Sequence, residues 1–281
     1  MDIMKISAFT PDAAQGAAGG NPAGVVFVDS MPDEARMLSV ASGLGYSETA
    51  FLLPLDDGWR VRYFAPRQEV PFCGHATIAL GAALGRRFGA GIYPLALNHA
   101  RITVEAMAAG DTGWAAALQS PPTRTRLLPD GYIRAVLDEF GLTAADLDHR
   151  LPVRLIHGGA NHMVVALASR RRLSQLGYHF ARGAALQAEQ SLVTFSFIHA
   201  ETDTRFHARN FFAIGGAYED PATGAAAAAL AGYLREIHWL EAGTIEITQG
   251  EDMGRPSLIR ASFDAEPGGS VRVAGLTAPI V

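Results

Sequence analysis

The spacing of hydrophobic and polar residues divides the chain into many short strands and a few helices. Alternating or continuous apolar runs bounded by turn residues predict strands at residues 24–28, 49–53, 59–64, 102–105, 153–156, 163–167, 192–198, 244–248 and 271–273. Helical periodicity predicts helices at 33–42, 75–88, 132–140 and 223–236. Strands this short and closely spaced favour mixed or antiparallel barrel-like sheets over a doubly wound parallel sheet.

Two of the predicted helices have no polar face. Residues 225–234 read AAAAALAGYL, and the helix that begins at His75 carries no charged side chain before Arg86. A helix that is apolar on all sides must be surrounded by other structure, so we expect each of the two to run through the middle of a sheet. Its N-terminus would then present unpaired N–H groups and the positive end of the helix dipole, which favour a carboxylate or a developing oxyanion.

The chain also contains an internal repeat. GGNPAGVVFV at 19–28 is echoed by GGANHMVVAL at 158–167, and PFCGHATIALGAALG at 71–85 is echoed by YEDPATGAAAAALAGYL at 218–234. Two similar α/β halves, each a barrel-like mixed sheet around one central helix, explain both echoes. We expect the halves at 1–120 and 121–265, linked through the Pro-rich stretch 120–123, with residues 266–281 as a candidate to return to the first half.

Composition narrows the class of protein. A length of 281 residues suggests two domains, and 49% hydrophobic with 18% charged residues indicates well-buried cores. A net charge of -5 gives no electrostatic case for nucleic acid. The first residues do not resemble a signal peptide, and no apolar run approaches a membrane span. We therefore expect a soluble cytoplasmic protein without nucleic-acid or membrane partners.

Three polar residues beside the predicted helices and strands are candidates for chemistry. Glu48, in SETAF, precedes an apolar run, where a desolvated carboxyl is typical of a general acid/base; the alternative is an exposed residue at a strand start. His75 is able to bind an anion or assist proton transfer, or to serve only as a capping or core residue. Asp220 precedes Pro221, as an N-cap followed by a first-turn proline would, and is also able to accept a hydrogen bond from a substrate.

Cys73 is the single cysteine of the chain. A thiolate at a helix N-terminus is a candidate nucleophile or acid/base, but a racemase that uses two thiols needs a second one. We therefore interpret Cys73 as a small buried residue that packs against the start of the helix. The sequence contains no H-x-x-x-H, HExxH or CxxC spacing, so no metal site is predicted, and no cofactor is expected.

Several motifs together resemble one family. GGNPAGVV, SETAF, FAPRQEVPFCGHATIA, RNFFAIGGAYEDPATG and QGEDMGRPS, spread over residues 19–257, are similar to motifs of the PhzF-like phenazine-biosynthesis isomerase/epimerase family. The resemblance implies two pseudo-symmetric α/β domains of the diaminopimelate-epimerase-like fold. It also implies proton transfer without metal or cofactor in a cleft between the domains.

The resemblance further implies roles for particular residues. Glu48 matches the general acid/base of the family, His75 and Asp220 match residues that contact the substrate, and Gly74 and Gly224 match backbone N–H groups that bind a carboxylate. The family often has Ser where this chain has Ala225, which removes one contact to a substrate hydroxyl.

We therefore expect a cofactor-independent isomerase or epimerase that acts on a small carboxylic acid and assembles as a homodimer. Two alternatives stay open. One is an amino- or hydroxy-acid racemase, which would need a second base facing Glu48. The other is a non-catalytic protein that binds a small molecule in the same place.

Overall fold

The computed structural model describes residues 1–12, 18–111 and 113–281. The chain divides into two compact units, of which the first contains Met1–Gln119 and Ala274–Val281 and the second contains Ser120–Val273. From the sequence, the boundary between the units is expected after residue 120. Residues 266–281 are the segment expected to return to the first unit. The segment assigned to the first unit begins at residue 274.

Helices and strands alternate along the described residues. The strands are β1 (Asp2–Thr10), β2 (Asn21–Phe27), β3 (Glu48–Leu55), β4 (Gly58–Ala65), β5 (Gln68–Val70), β6 (Gly91–Ala96), β7 (Arg101–Ala109), β8 (Gly113–Gln119), β9 (Arg124–Arg126), β10 (Arg154–His157), β11 (Asn161–Ala166), β12 (Thr194–Ala200), β13 (Arg205–Phe211), β14 (Glu219–Asp220), β15 (Gly243–Gln249), β16 (Ser257–Phe263) and β17 (Arg272–Pro279). The helices are α1 (Glu34–Leu44), α2 (Gly74–Phe88), α3 (Asp130–Glu139), α4 (Arg170–Ser174), α5 (Phe180–Glu189) and α6 (Gly224–Glu236).

The first unit is a closed ring of strands. Neighbours pair in the order β1, β2, β3, β4, β6, β7 and β8, and β17 closes the ring by pairing with both β8 and β1. The β2–β3 and β4–β6 pairs are parallel. The short strand β5 adds to β4 in antiparallel fashion. Closure satisfies the backbone groups that an open sheet would leave at its edges.

Helix α2 lies against the inner face of this ring. All residues from His75 to Gly85 are buried, and the helix contacts six of the strands. Glycine is needed at two of its positions, because a Cβ atom at Gly81 would collide with Val104 and one at Gly85 with Trp114. The apolar pattern of this helix therefore predicted its surroundings correctly.

Helix α1 packs on the outer face of the same sheet. Met37 of the helix joins Val26, Phe51 and Phe64 of the strands in one buried apolar cluster. The Asp33 side chain caps the helix by accepting a 2.7 Å hydrogen bond from the backbone N–H of Arg36.

The second unit repeats the strand order of the first unit and its central helix. Its strands pair in the order β9, β10, β11, β12, β13, β15 and β16, and the β11–β12 and β13–β15 pairs are again parallel. Helix α6 contacts β9, β10, β11 and β16, and all of its residues are buried except Ala225 and Glu236. An apolar cluster that includes Val136, Phe140 and Phe197 joins α3 and α5 to the sheet.

The strand register allows individual residues of the first unit to be matched with residues of the second. When Gly74 at the start of α2 is matched with Gly224 at the start of α6, Val70 falls on Asp220. The pairing register then matches Phe64 with Phe211, Tyr63 with Asn210, Thr49 with Phe195, Glu48 with Thr194, and Ala23 with His162. The prediction of two pseudo-symmetric barrel-like halves is confirmed.

Three details differ from the sequence-based expectations. Helix α4, which begins with three arginines and has Ser169 as its N-cap, was not predicted. Helix α5 was not predicted, because its buried residues are interrupted by polar ones. Asn21 and Asn161 fall one register position apart, so the repeated Val-Val pairs match but the asparagines do not. Among the described residues, no helix is long and apolar enough to cross a membrane.

Candidate active site

The start of α2 is built to present backbone N–H groups. Its first intrahelical bond runs from the N–H of Thr77 to the carbonyl of Cys73, at 3.0 Å. The N–H groups of Gly74, His75 and Ala76 therefore have no acceptor within the helix. Cys73 occupies the N-cap, and its side chain makes no capping hydrogen bond to the helix within the described residues. This end of the helix favours an anion.

Glu48 and His75 meet at this helix start. Glu48 is the first residue of β3, and its Oε2 lies 3.4 Å from Nε2 of His75. Their side chains are 15% and 7% exposed, so the pair is largely withdrawn from solvent. The Oγ atom of Ser47 lies 3.2 Å from the same imidazole nitrogen. The structure thus brings together three residues that the sequence predicts for the site: Glu48, Gly74 and His75.

Cys73 lies on the other side of the same imidazole. Its Sγ atom is 3.3 Å from Nδ1 of His75 and 4.0 Å from Nε2. The thiol is buried, as the sequence predicts for a residue that packs against the start of the helix. Contact with His75 was not predicted, and it places a carboxyl, an imidazole and a thiol around one point.

A buried tyrosine of the sheet stabilises the first turn of α2 through hydrogen bonds. Tyr63 of β4 makes a 2.7 Å hydrogen bond with Oγ1 of Thr77, and this hydroxyl donates to the carbonyl of Cys73 at 2.7 Å. Burial raises the pKa of Tyr63, so its hydroxyl keeps its proton. The helix start that carries His75 is therefore fixed by buried hydrogen bonds.

The start of α6 presents a second set of N–H groups that have no acceptor within the helix. Its first intrahelical bond runs from the N–H of Ala227 to the carbonyl of Thr223, at 3.1 Å. The N-cap is Thr223, so of the two alternatives for Asp220 the helix cap is wrong. Asp220 instead belongs to the short strand β14, where its Oδ2 accepts a 2.6 Å hydrogen bond from Oγ1 of Thr223. The carboxylate and Gly224 thus lie at the same helix start.

Gln249 organises that helix start and was not predicted. Its Nε2 donates to the carbonyl of Asp220 at 2.7 Å and to Oγ1 of Thr223 at 3.0 Å. Its Oε1 accepts from the N–H of Thr223 at 3.2 Å and from Nδ2 of Asn210 at 2.9 Å. A buried amide that uses both its donors and its acceptor fixes the backbone around it. The QGEDMGRPS motif that begins at this residue was the available signal.

The same hydrogen-bond network continues to a buried histidine. Asn210 accepts from Oγ1 of Thr194 at 3.4 Å, and that hydroxyl lies 2.7 Å from Nδ1 of His162. His162 is fully buried, and burial, with a smaller contribution from His157, lowers its pKa to about 3. His162 is therefore neutral at physiological pH.

Known proteins resemble the chain over nearly its whole length. Residues 6–281 match the family described as phenazine biosynthesis-like protein (PhzC-PhzF). The chain is 33% identical to an uncharacterized isomerase of Deinococcus radiodurans over 276 residues, which cover 92% of this chain and 86% of that protein. It is 32% identical over 250 residues to trans-2,3-dihydro-3-hydroxyanthranilate isomerase of Pseudomonas fluorescens, covering 87% of this chain and 85% of that protein.

A solved structure shows the same fold. The crystal structure of a PhzF-family phenazine biosynthesis protein from Bacillus anthracis superposes with a TM-score of 0.84 at 20% identity. The superposition covers 100% of this chain and 98% of that one. The fold class predicted from the sequence is therefore confirmed.

Proposed function

The chain belongs to the phenazine biosynthesis-like protein family, and we propose that it moves a proton on a small carboxylic acid with Glu48 as the general acid/base. The relatives named above are isomerases. The observation that carries the proposal is the 3.4 Å contact between Oε2 of Glu48 and Nε2 of His75 beside the free N–H groups of α2. A carboxyl that takes a proton from one carbon and returns it to another needs no cofactor.

The helix starts supply the electrostatic part of this chemistry. Removing a proton next to a carboxylate delocalises negative charge into the carboxylate. The N–H group of Gly74 and the positive end of α2 would stabilise that charge. The N–H group of Gly224 is its counterpart at the start of α6. His75 would hold the amine or hydroxyl of the substrate and so determine which carbon faces Glu48. Asp220 of the second unit is proposed as a further substrate contact.

The repeat supports one base rather than two. By strand register, Thr194 occupies in the second unit the position that Glu48 occupies in the first. From the helix starts, Ala225 matches His75, and Thr223 matches Cys73. None of these counterparts titrates near neutral pH. A racemase built from two symmetry-related bases is therefore disfavoured, and an isomerase that reuses one carboxyl is favoured.

Glu48→Gln tests the proposal, because it keeps the shape of the side chain and removes the base. We expect turnover to fall by about 100-fold or more while substrate binding is retained. The measurement is NMR detection of deuterium uptake from solvent into trans-2,3-dihydro-3-hydroxyanthranilate and into a panel of small cyclic and linear amino acids. Glu34→Gln is the matched control, because Glu34 is an exposed carboxyl in the first turn of α1.

Two outcomes would contradict the proposal. A Glu48→Gln protein that exchanges substrate protons at the wild-type rate would remove Glu48 from catalysis. A wild-type protein that binds these carboxylates and exchanges no C–H proton would instead support the non-catalytic alternative.

A further inference from the structure

Three different metal-binding side chains converge at the start of α2. The ligand atoms of Glu48, Cys73 and His75 all lie within 4.8 Å of one another. No other group of three such residues occurs in the part of the chain that the structure describes. Spacing along the sequence could not predict this, because Glu48 comes from β3 while the other two flank the first residue of α2.

The separation between the carboxylate and the imidazole suits a tetrahedral metal ion, and the thiol lies close by. With Zn–N and Zn–O bonds of about 2.0–2.2 Å and Zn–S bonds of about 2.3 Å, neighbouring ligand atoms lie roughly 3.3–3.6 Å apart. Nε2 of His75 is 3.4 Å from Oε2 of Glu48 and 4.0 Å from Sγ of Cys73. The first separation already fits. Sγ of Cys73 lies nearer to Nδ1 of His75, at 3.3 Å, so ligation beside Nε2 requires the Cys73 side chain to change its rotamer. The fourth position would be left for water.

The charge of the ligands and their burial favour the same ion, although the positive end of α2 itself opposes a cation. A thiolate and a carboxylate together neutralise a divalent cation, and a thiolate selects zinc over magnesium or calcium. All three side chains are at most 15% exposed, so little bulk water competes for the ligands. When the metal binds, the thiol of Cys73 loses its proton to solvent as the Zn–S bond forms.

We propose that Glu48, Cys73 and His75 form an inhibitory site for a thiophilic divalent cation such as Zn²⁺. An ion held there occupies the carboxylate that the proposed function uses as a base, so proton transfer stops until the metal leaves. The inhibition rests on the proposed function, whereas the binding does not. The second unit offers no equivalent, because its matching residues are Thr194, Thr223 and Ala225, and we expect one site per chain.

Binding is tested with Co²⁺, which takes zinc ligands and reports them in its absorption spectrum. Titration of the full chain with cobalt chloride should give a thiolate-to-cobalt charge-transfer band and the strong visible bands of tetrahedral cobalt, saturating at one equivalent and abolished by Zn²⁺. Cys73→Ser should lose the charge-transfer band. Glu48→Gln should weaken binding by about 10-fold or more, because it removes one ligand and one negative charge.

His207→Gln is the matched control. His207 makes a 2.8 Å contact with Glu251, an imidazole–carboxylate pair without a thiol, so this variant should keep the cobalt spectrum of the wild type. Loss of the band in this variant, or a band that persists in Cys73→Ser, would overturn the proposed ligand set.

Inhibition is tested by adding zinc chloride to the deuterium-exchange assay. The wild-type rate should fall at least 10-fold at saturating zinc and recover with EDTA. Cys73→Ser, measured against its own metal-free rate, should need at least 10-fold more zinc for the same loss. Equal zinc sensitivity in both proteins would overturn the inhibitory site. A cobalt spectrum of the expected kind in a protein that exchanges no substrate proton would leave the metal site standing and refute only the proposed function.

Discussion

The two units share the same strand order, a central helix and one ion pair at matching positions. The side chains around their central helix starts differ. In the first unit Arg62 of β4 binds Glu69 of β5 through two hydrogen bonds of 2.8 and 2.6 Å. In the second unit Arg209 binds Glu219 at the matching positions with bonds of 3.1 and 2.6 Å. Each guanidinium also lies over the phenylalanine two residues further along its strand. The pair joins the short strand that leads into each central helix to the main sheet.

The surroundings of the two helix starts differ. In the first unit, titratable side chains surround the helix start: Glu48, Cys73 and His75. In the second unit, amide and hydroxyl groups of Gln249, Asn210 and Thr223 hold a single carboxylate, Asp220. A repeated scaffold has therefore kept the helix starts that favour an anion, while the carboxyl groups beside them, Glu48 and Asp220, occupy positions that do not match. The proposed one-base mechanism rests on this difference, because Glu48 has no titratable counterpart in the second unit.

The largest expected effect is a loss of folding stability, and it should differ between variants that break the two ion pairs. The Arg209–Glu219 side chains are 8% and 4% exposed, whereas the Arg62–Glu69 side chains are 20% and 21% exposed. Arg209→Met leaves a buried carboxylate without its partner and should lower the free energy of unfolding by about 3–5 kcal/mol. Arg62→Met should cost only about 1 kcal/mol, because water solvates the remaining carboxylate.

Urea denaturation of the two variants measures this contrast. Arg209 has a further reason to matter, because its Nη1 donates to the carbonyls of Leu173, Ser174 and Leu176. Equal destabilisation by the two substitutions would show that the repeat is energetically symmetric and that burial does not distinguish its halves.

The next contrast compares the side chains that brace the helix starts. Gln249→Leu removes four hydrogen bonds around Asp220 and Thr223, and we expect kcat/KM to fall on the order of 100-fold. Tyr63→Phe removes one bond to Thr77 at the start of α2 and should cost less than about 10-fold. Steady-state kinetics compares kcat/KM of the two variants, and thermal unfolding checks that both are folded.

Gln249→Glu sharpens the assignment of that role. It keeps two acceptor bonds but, once ionised, is unable to donate to the carbonyl of Asp220. Partial recovery of activity at low pH, where the new carboxyl is protonated, would identify positioning rather than stability as the role of Gln249. Activity that follows only the fraction of folded protein would contradict it.

A smaller effect concerns the buried histidine, whose counterpart in the first unit is Ala23. Burial lowers the pKa of His162 from 6.5 to about 3. Between these values the unfolded chain binds a proton that the folded chain does not, so this residue lowers stability as pH falls below about 6.5. At pH 5 the loss should be about 2 kcal/mol relative to pH 7.5. His162→Gln should remove that part of the pH dependence, and a variant whose urea midpoint shifts with pH as the wild type does would exclude it.

Local pattern predicted much of this architecture, and contacts between distant segments account for what it missed. The apolar stretch after His75 and the alanine run after Gly224 predicted the central helices because burial on all sides needs no knowledge of neighbours. The capping alternative for Asp220 arose because proline after aspartate is locally typical of a helix start, but the N-cap is Thr223. The role of Gln249 depends on β15 pairing beside β13, which no local pattern encodes.

The smallest expected effect concerns the thiol at the first helix start. Cys73 contacts His75, but its counterpart Thr223 shows that the scaffold does not require a thiol there. A lone thiol is unable to run a two-thiol mechanism, so Cys73→Ala should leave metal-free isomerase activity within about 10-fold of the wild type. The deuterium-exchange assay in the presence of EDTA measures this. A loss of about 1000-fold with an unchanged circular dichroism spectrum would make Cys73 a catalytic residue, and the first unit would then supply both a carboxyl and a thiol to the reaction.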